Sequence, residues 1–460
     1  MANQPFVSII IVNYNGAHYL TACLQALAKQ TYPSDCFEVI VSDNGSWDET
    51  ASLLHKQFPW VHLLENGSNL GFAKGNNVAI RQTNGDYVVL LNNDTSPSPE
   101  WLAELIKTAQ VDARAGIICG HLQLFYDQID VRLDSQPLSK DHLHSEYALM
   151  VYSIDSGALH GVVQYLEGFN GARPDRYGNH FRSTHGKGLL GIPVPTGDGP
   201  ILLHFVMAAT EPIYMTLSVD GIVFWQGEIQ NLSPVSIEIP LPDSIRSLAG
   251  PVEQNTGSIV FYNGSGRDRG TVVHNTDVIF ERDMGQYREV EEVFAGCGAS
   301  LLLKRELLAD IGLLDEDFFM YYEDTDLSWR ARIRGWKVIY APTALIRHIH
   351  CGTTKEWSPF FVYLTERNRL AMVFKNGSVL QVLNVWGGYF LRVVRLAWIV
   401  IKKFFFRRPD WRRFASELKI HLRVLLTLVI WQPSLWIKRA RIQSRRLASL
   451  SSIEDWFTRA

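Results

Sequence analysis

Residues 7–43 read VSIIIVNYNGAHYLTACLQALAKQTYPSDCFEVIVSD, and this stretch decides the fold class. The apolar run Val7–Val12 predicts a buried strand, and Val39–Ser42 predicts a second one. Between them a helix is predicted from apolar residues spaced three and four apart, which a helix brings onto one face: Leu20, Cys23, Leu24 and Leu27. A strand, a helix and another strand indicate a βαβ unit, and hence an α/β fold with a parallel sheet buried on both faces.

The same alternation continues along the next part of the chain. A helix is predicted at Glu49–Phe58, a strand at Val61–Leu64, a helix at Asn77–Gln82 and a strand at Tyr87–Leu91. Polar residues follow each predicted strand. In open α/β sheets ligands bind beyond the carboxyl ends of the strands, so the sequence predicts a ligand site at this edge.

The pattern changes in the middle of the chain. From Asp134 to Gly250 turn residues recur between short apolar runs such as ILLHFVMA and IYMTLSV, which predicts an inserted β-sandwich. Five aromatic residues there can form a glycan-binding face or fill the core, and the core is favoured for most of them: Tyr165, Phe169, Tyr177, Phe224 and Trp225. The α/β pattern returns near Asn255, and Phe294–Leu303 predicts a further core strand.

Composition excludes several classes of protein. The chain has 460 residues, of which 47% are hydrophobic and 20% charged, so disordered and low-complexity classes are excluded. Its length predicts about two to four domains. The 5 cysteines include no CxxC pair, which supports neither a disulfide framework nor a zinc module and favours a reducing compartment. The start MANQPF lacks the basic segment of an export signal. A net charge of -3 argues against nucleic acid as a partner.

The net charge hides a basic segment near the end of the chain. Between Lys375 and Arg446 there are sixteen basic and two acidic side chains. Arg392, Arg395 and Lys402 interrupt the apolar runs, so a spanning stretch of about 20 apolar residues is not expected. Basic helices with Trp and Phe on their apolar face favour attachment to an anionic membrane surface. A basic helical pair packed on the α/β domain is the alternative interpretation.

Three motifs at predicted strand ends carry possible chemistry. Asp43, in SDNGS, can accept a hydrogen bond from the imide N–H of a pyrimidine, or form a turn that caps the next helix. The loop Asn69–Asn77, NLGFAKGNN, has glycines that let backbone amides approach a ligand just before a helix N-terminus. Asp94, in LLNNDTSP, can bind Mg²⁺ or Mn²⁺ through carboxylate oxygens, although a plain polar turn is common at such a position.

A fourth and a fifth motif lie in the second α/β segment. In FFMYYEDTDLSWR, Glu323, Asp324 and Asp326 are so close that the pKa of at least one should rise, which suits a general base. Asp326 is also explained as a residue of the first helical turn that pairs with Arg330. In ALIRHIHCGTT, one of the two histidines can bind a metal or a phosphate, although a structural role is usual for a histidine on a strand.

These motifs, in this order, resemble the family 2 nucleotide-sugar glycosyltransferases, and in particular their bacterial rhamnosyltransferase-like branch. The resemblance rests on SIIIVNYN, SDNGS, NLGFAKGNN, LLNNDT, GASLLLKRE, GLLDEDFFMYYEDTDLSWR and H-x-H-x-G, and it covers residues 6–125 and about 255–375. It implies a GT-A fold, a Rossmann-like mixed and mostly parallel sheet flanked by helices. The expected catalytic domain is residues 1–133 and 251–375, with an insertion at 134–250 and a basic, membrane-associating helical region at 376–460.

The resemblance also implies roles for single residues. The pyrimidine base would contact Val12, Asn13, Tyr14 and Asp43. The rest of the donor would contact Asn69, Gly71, Phe72, Asn76, Asn92 and Asn93. Asp94 would bind Mg²⁺ or Mn²⁺ together with His348, with His350 in reserve, and Asn92 stands where the family often has the first Asp of its DxD motif. Asp324 would be the catalytic base, with Glu323 beside it.

The activity implied is inverting transfer of one sugar from a UDP- or dTDP-linked donor, with rhamnose a candidate, to a hydroxyl of a glycan or lipid-linked glycan. Such an enzyme of surface polysaccharide biosynthesis is expected at the cytoplasmic face of the membrane, as a peripheral protein and possibly an oligomer. Processive synthesis is disfavoured because the chain lacks a QxxRW motif. Two alternatives stay open, a non-catalytic carbohydrate-binding protein and a sugar-phosphate nucleotidyltransferase. NYNGAHYL lacks the Gly-rich basic loop that is usual for the latter.

Overall fold

The computed structural model describes residues 4–138, 148–175, 177–195, 199–230, 233–274, 277–349, 357–408 and 410–457, which form two compact units. Unit 1 contains residues 1–122, 255–269 and 288–460, and unit 2 contains residues 123–254 and 270–287. The insertion predicted at 134–250 is therefore too short at both ends. Strand Ala115–Pro137 runs through the predicted start of the insertion at 134, so no turn residue marks that boundary. Residues 376–460, predicted as a separate region, belong to unit 1.

The first part of unit 1 has the predicted alternation. Its elements are β1 Val7–Asn13, α1 Ala17–Leu27, β2 Phe37–Asp43, α2 Thr50–Gln57, β3 His62–Glu65, α3 Gly71–Ile80, β4 Tyr87–Asn92, β5 Thr95–Pro97, α4 Trp101–Val111 and β6 Ala115–Pro137. The strands β3, β2, β1 and β4 are neighbours in this order and run parallel. Three consecutive residues of β1, Ile9, Ile10 and Ile11, are completely buried, as expected for a strand covered on both faces.

Unit 2 is built from antiparallel strands. They are β7 Leu149–Asp155, β8 Gln164–Glu167, β9 Arg173–Pro174, β10 His180–Thr184, β11 Lys187–Val194, β12 Ile201–Ala209, β13 Ile213–Val219, β14 Ile222–Ile229, β15 Val235–Leu241, β16 Gly250–Asn255, β19 Thr271–His274 and β20 Asp277–Phe280, with the short helix α5 Asp243–Arg246. One sheet has the order β15-β12-β7-β10-β9, and the other contains β14, β13, the end of β6, β11 and β8.

The two sheets of unit 2 share one core, as the predicted β-sandwich requires. Side chains from both sheets, such as Val131 of β6 and Phe205 of β12, belong to one buried cluster. Of the five aromatic residues discussed above, Phe169 is buried in this cluster, and three are half-buried against it: Tyr165, Phe224 and Trp225. Tyr177 is exposed. The core interpretation thus holds for four of the five.

The second part of unit 1 completes its sheet. The elements are β17 Ser258–Val260, β18 Gly266–Asp268, β21 Glu291–Glu292, β22 Ser300–Lys304, α6 Arg305–Ile311, a 3₁₀ turn at Glu316–Phe318, α7 Glu323–Ile333 and β23 Lys337–His348. Strand β22 runs antiparallel to both of its neighbours, β4 and β6. The α/β class and the mixed sheet are confirmed, with the parallel pairs confined to β1–β4.

Two predicted elements have different bounds. The strand predicted at Phe294–Leu303 begins only at Ser300. Before it, the Gly296 and Gly298 N–H groups donate to side chains of α7 instead of a neighbouring strand. The helix predicted from Asn77 already begins at Gly71, whose φ of +75° suits glycine. The polar sequence did not indicate this helix, because two of the residues on its buried side are asparagines, Asn76 and Asn77.

Five helices end the chain: α8 Pro359–Asn376, α9 Val379–Phe405, α10 Trp411–Ile430, α11 Gln432–Ser444 and α12 Leu450–Glu454. By length and composition α9 can cross a membrane, and α10 with α11, bent by 64°, passes the same test as a pair. The expectation that basic residues leave no segment long enough is therefore wrong for α9. Arg392 and Arg395 do not interrupt the helix, and Arg392 pairs with Glu366 of α8.

Candidate active site

The residues predicted at the pyrimidine lie where β1 and β2 end. Asp43 is buried, and its carboxylate accepts hydrogen bonds from the N–H (2.8 Å) and the hydroxyl (2.5 Å) of Ser46 and from Asn13 Nδ2 (3.2 Å). The turn predicted at Asp43 is therefore present, but Asp43 does not cap the next helix, because α2 begins at Thr50 after Glu49, without a side-chain cap. Beside it, Val12 is half-buried and Tyr14 is exposed.

The side chains of Asn13 and Asn93 brace this corner. Asn13 is completely buried, and its Oδ1 accepts a hydrogen bond from Asn93 Nδ2 at 2.7 Å. Its Nδ2 also lies 3.0 Å from Thr50 Oγ1. Both asparagines therefore join strand ends to each other, and their side chains hold the site together from within.

The Gly-rich segment does not present free amides. The Gly71 N–H donates to Asn69 Oδ1 at 3.0 Å, and the Phe72 and Ala73 N–H groups donate to the Phe319 carbonyl at 2.7 and 3.2 Å. The expectation that these amides bind a ligand is wrong, because the carbonyl of Phe319 already caps the start of α3. Phe72 itself is half-buried.

Asn76 lies one turn further along α3. It is buried, and its Nδ2 donates to the Phe72 carbonyl at 3.0 Å. Its Oδ1 is buried and accepts no hydrogen bond from any part of the chain that the structure describes. This amide oxygen is therefore available to a donor group of a ligand if the surrounding side chains move.

Asp94 and His348 meet at the end of β4. Strands β5 and β23 pair antiparallel, with His348 opposite Thr95, and this register places His348 Nε2 3.3 Å from Asp94 Oδ1. Asn92 Nδ2 lies 3.4 Å from the same ring nitrogen. All three residues thus form one polar group. His350 lies outside the described residues.

The pair Asp94 and His348 is a partial metal site. Asp94 Oδ1 is buried without a hydrogen-bond partner in the described chain, which is the state expected of an atom that awaits a ligand. Two ligands of an octahedral cation, each about 2.1 Å from it, lie about 3 Å apart, close to the separation found here. The described residues contain no group of three or more His, Cys, Asp or Glu side chains that could hold a metal. A bound cation would therefore need further ligands from outside the described residues, with substrate and water among the candidates.

Asp324 lies at the start of α7, opposite the beginning of β22. Its Oδ2 accepts the Gly298 N–H at 2.9 Å, and its Oδ1 accepts the Thr325 N–H at 2.6 Å. Burial nevertheless raises the pKa of Asp324 above its ordinary value. Burial and the nearby charge of Asp324 raise the pKa of Glu323 well above its own ordinary value. We refer to Asp94, Glu323 and Asp324 as the edge carboxylates.

Asp326, two residues after Asp324 on the same helix, has a different environment. It is completely buried, Arg330 Nε donates to it at 2.8 Å, and Lys375 Nζ lies 2.9 Å from it. Asp315 binds Lys375 and, at 2.5 Å, Lys438. Despite burial, these cations hold the pKa of Asp326 and of Asp315 below the ordinary range. We call Asp315, Asp326, Lys375 and Lys438 the ion cluster, and it explains Asp326 as a structural residue.

A short series of contacts connects the edge carboxylates across the sheet. Asp94 contacts His348, which contacts Asn92. The Asn92 N–H donates to the Ala299 carbonyl at 3.1 Å, and the adjacent Gly298 N–H donates to Asp324. Asp94 and Asp324, 230 positions apart in the chain, are thus attached to the same strand end.

Two residues of this arrangement were missed from the sequence. Gly298 holds Asp324 through its N–H, and an added Cβ there would lie 3.3 Å from the Phe72 ring and 3.5 Å from Asp324 Oδ2. The paired glycines of FAGCGAS are a signal for such a close approach. Ser46 holds Asp43, and its place three residues after an Asp is a recognisable turn pattern.

Comparison with known proteins agrees with this arrangement. The model of "Glycosyl transferase family 2" matches residues 8–188, and that of "Glycosyltransferase like family 2" matches residues 279–372. The chain belongs to the family 2 glycosyltransferases, and its unit 1 has their GT-A fold. The rhamnosyltransferase-like branch is not singled out by these matches.

Individual relatives match only part of their length. Glycosyltransferase AglE of Haloferax volcanii is 37% identical over 108 residues, which are 23% of this chain and 35% of that protein. Poly(ribitol-phosphate) beta-N-acetylglucosaminyltransferase TarS of Staphylococcus aureus is 36% identical over 101 residues, 21% of this chain and 18% of that protein. Among solved structures, mannosyltransferase PcManGT of Pyrobaculum calidifontis, in complex with GDP-Man and Mn²⁺, covers 92% of this chain and 87% of its own at 12% identity and a TM-score of 0.40.

Proposed function

We propose that this chain transfers one sugar from a nucleoside-diphosphate sugar to a hydroxyl group of a glycan or lipid-linked glycan, with inversion at the anomeric carbon. The observation that carries the proposal is the attachment of Asp94 and Asp324 to the same strand end through His348, Asn92, Ala299 and Gly298. Family membership supplies the reaction class. The contacts that support the proposal join a buried carboxylate, Asp324, to the pair Asp94 and His348.

In the proposed reaction Asp324 is the general base. Its carboxylate accepts the proton of the acceptor hydroxyl while the oxygen attacks the anomeric carbon, and the nucleoside diphosphate leaves. The raised pKa makes Asp324 a stronger base than an exposed aspartate. The Gly298 and Thr325 N–H groups fix the direction of its oxygens. The reaction needs no nucleophile from the protein.

Asp94 and His348 would hold a divalent cation, Mg²⁺ or Mn²⁺. Such an ion stabilises the negative charge that develops on the departing diphosphate. Asn92 would orient His348 and stand beside the phosphates, while Asp43, Val12 and Tyr14 would receive the base. With Asn13 and Asn93 as braces, these residues form the proposed donor side, to which Asn69, Gly71, Phe72 and Asn76 contribute the wall made by α3.

We propose UDP- and dTDP-linked sugars as donors, including the rhamnose donor, and surface polysaccharide as the pathway. TarS, named as an N-acetylglucosaminyltransferase, adds N-acetylglucosamine to the candidate sugars. The test is release of nucleoside diphosphate from each donor by the purified chain, with Mn²⁺, Mg²⁺ or EDTA and a lipid-linked acceptor. Turnover that depends on the cation, with an inverted anomeric configuration in the product, supports the proposal. Glycan binding without turnover of any donor favours the non-catalytic carbohydrate-binding protein. Transfer of a nucleotide to a sugar phosphate favours the nucleotidyltransferase.

We further propose that the protein binds the cytoplasmic face of the membrane through α9. One face of α9 exposes apolar side chains spaced three and four residues apart: Leu380, Leu383, Leu391, Val394, Trp398, Ile401 and Phe405. Arg395 and Lys402 are exposed beside this face and complement anionic headgroups. Size-exclusion chromatography with light scattering tests whether the chain forms an oligomer.

Flotation with vesicles tests this surface. The intact chain should float with phosphatidylglycerol-containing vesicles and be released by alkaline carbonate, as a peripheral protein is. L391E/W398E should stay in solution, whereas the matched pair V111E/W47E, on exposed residues outside the helices α8–α12, should float normally. Resistance to carbonate would instead favour α9 as a spanning helix.

A further inference from the structure

The backbone immediately before the proposed base has an unusual conformation. Phe319, Tyr321 and Tyr322 have φ values of 66°, 71° and 69°. This left-handed region is rarely adopted by residues other than glycine, because the Cβ crowds the backbone. Such a conformation persists only where surrounding contacts hold it. Since α7 begins at Glu323, the turn Phe318–Tyr322 determines where Asp324 points.

Asn368 of α8 holds this turn from beneath. Its side chain is completely buried, and its Nδ2 lies 2.9 Å from the carbonyl oxygens of Phe318 and Met320 and 2.8 Å from that of Tyr321. Two N–H groups thus serve three carbonyls of one turn. A side chain without amide protons cannot replace these contacts.

Arg367 fixes the orientation of that amide. Its Nε donates to Asn368 Oδ1 at 2.9 Å, which identifies the opposite atom as the donor. Its Nη2 donates to the Phe318 carbonyl at 2.9 Å, and its guanidinium lies 4.6 Å from the ring centre of Trp431. The amide of Asn368 therefore cannot rotate without breaking a buried hydrogen bond.

The other side of the turn contacts the donor side of the site. The Phe319 carbonyl accepts the Phe72 and Ala73 N–H groups at the start of α3. The Phe72 ring lies beside Gly298, whose N–H holds Asp324. One turn of backbone thus connects Asn368 with both the wall of the donor side and the base.

We propose that Asn368 is a positioning residue for the transfer reaction. Its amide holds the turn Phe318–Tyr322 in the left-handed conformation that aims the Asp324 carboxylate at the acceptor and seats Phe72. Asn368 contacts carbonyl groups of the chain and no substrate. The proposal rests on the proposed function only in naming Asp324 as the base. The contact between Asn368 and the turn can be tested without turnover.

The test compares N368D with wild type. Asp has almost the same size as Asn, but it presents carboxylate oxygens to the three carbonyls. We expect kcat to fall about 10–100-fold, because a displacement of the base by about 1 Å has an effect of that order. The affinity for UDP with Mn²⁺, measured by calorimetry, should fall by a smaller factor than kcat, because Asp43, Asp94 and His348 are untouched and only the wall at Phe72 shifts. N384D, at an exposed asparagine of α9, is the matched control and should change neither quantity.

Hydrogen exchange provides the readout that does not need activity. In N368D, amides of residues 319–326 should exchange faster, while those of β1 and β4 should keep their rates. Unchanged exchange in the turn, or faster exchange with wild-type kcat, would overturn the proposal. If N368D does not yield folded protein, R367K is the deciding variant, because it keeps the charge and loses the Nε donor. Its kcat should fall about 3–10-fold, with a smaller loss of UDP affinity. If the wild-type chain turns over no donor, the proposed function is wrong. Hydrogen exchange then tests by itself whether Asn368 holds the turn Phe318–Tyr322.

Discussion

The edge carboxylates and the ion cluster place acidic side chains in two opposite environments within unit 1. Asp324 and Asp326 lie on the same turn of α7, and burial is the largest influence on the pKa of each. Lys375 and Arg330 reverse that influence at Asp326. Among the described residues, no cation forms a salt bridge with Asp324 or Glu323. Without a nearby cation, burial raises the pKa of the carboxyl group, as at Asp324. With buried cations beside it, the pKa falls and the carboxylate forms an ion pair, as at Asp326.

The largest expected effect is on the base itself. D324N removes the proton acceptor. We expect kcat to fall about 10³–10⁴-fold, which is the upper part of the range for general-base catalysis. UDP affinity should change little, whereas the free energy of unfolding should fall by about 1–3 kcal/mol, because the amide offers one acceptor to the two N–H groups of Gly298 and Thr325 and leaves the other unsatisfied. Steady-state kinetics, calorimetry and chemical denaturation measure the three quantities. D35N, at an exposed loop aspartate, is the control. Retained turnover in D324N would exclude Asp324 as the base.

The next largest effect breaks the ion cluster instead. K375M leaves Asp315 with Lys438 and Asp326 with Arg330, and a buried carboxylate that loses a partner typically costs about 3–5 kcal/mol. The free energy of unfolding should fall by that amount, as measured by urea denaturation. K403M removes the cation of the more exposed pair with Asp410 and should cost less than about 1 kcal/mol. Equal losses in the two variants would contradict a special role for the cluster.

A pH titration separates the two regions without mutation. The raised pKa of Asp324 means that the base becomes protonated, and kcat falls, at a pH above the ordinary range of aspartate. The lowered pKa values of Asp315 and Asp326 mean the opposite for stability. Their contribution is complete above the unfolded-state pKa of about 3.9 and is lost only as pH falls below it.

Activity should therefore disappear, on acidification, while the protein is still folded. The measurement is kcat at saturating Mn²⁺ beside far-UV circular dichroism over the same pH series. Simultaneous loss of kcat and of folded signal would mean that unfolding, and not protonation of the base, limits activity.

The smallest expected effect distinguishes the two neighbours at the start of α7. Glu323 is buried, its Oε2 has no hydrogen-bond partner in the described chain, and its pKa is raised well above the ordinary value. Burial and the charge of Asp324 thus favour the uncharged form of Glu323, and glutamine imitates that form. E323Q should keep kcat within about threefold and stability within about 1 kcal/mol, in contrast to D324N. A loss in E323Q as large as that in D324N would show that both carboxylates act as acid or base.

The N-terminal strands illustrate how much can be predicted locally. The predicted strands at Val7–Val12 and Tyr87–Leu91 each extend one residue further in the structure. Apolar runs of this length, bounded by turn residues, decide such strands with little help from distant contacts. The pairing of Asp326 with Arg330 also follows from spacing, because residues four apart meet on a helix.

Local reasoning failed where a distant group changed the outcome. The segment after Asn69 has the composition of a loop, yet it begins α3, because the Phe319 carbonyl, far along the chain, caps its first amides. The same contact removes the amides that were expected to bind phosphate. In α9, arginines that interrupt an apolar run in the sequence do not interrupt the helix, since helical geometry places Arg392 and Arg395 beside its exposed apolar face and not within it.

The sequence by itself determined the order of strands and helices, the family and the residue types at each strand end. Those features depend on periodicity and on short motifs, whose information is local. The tertiary structure alone decided which carboxylates are paired: Lys375 reaches Asp326, whereas Gly298 reaches Asp324. It also decided that Asn368 supports the turn before the base. Contacts between residues far apart in the chain arise from packing, and packing fixes both the burial of a charge and the partner that compensates it.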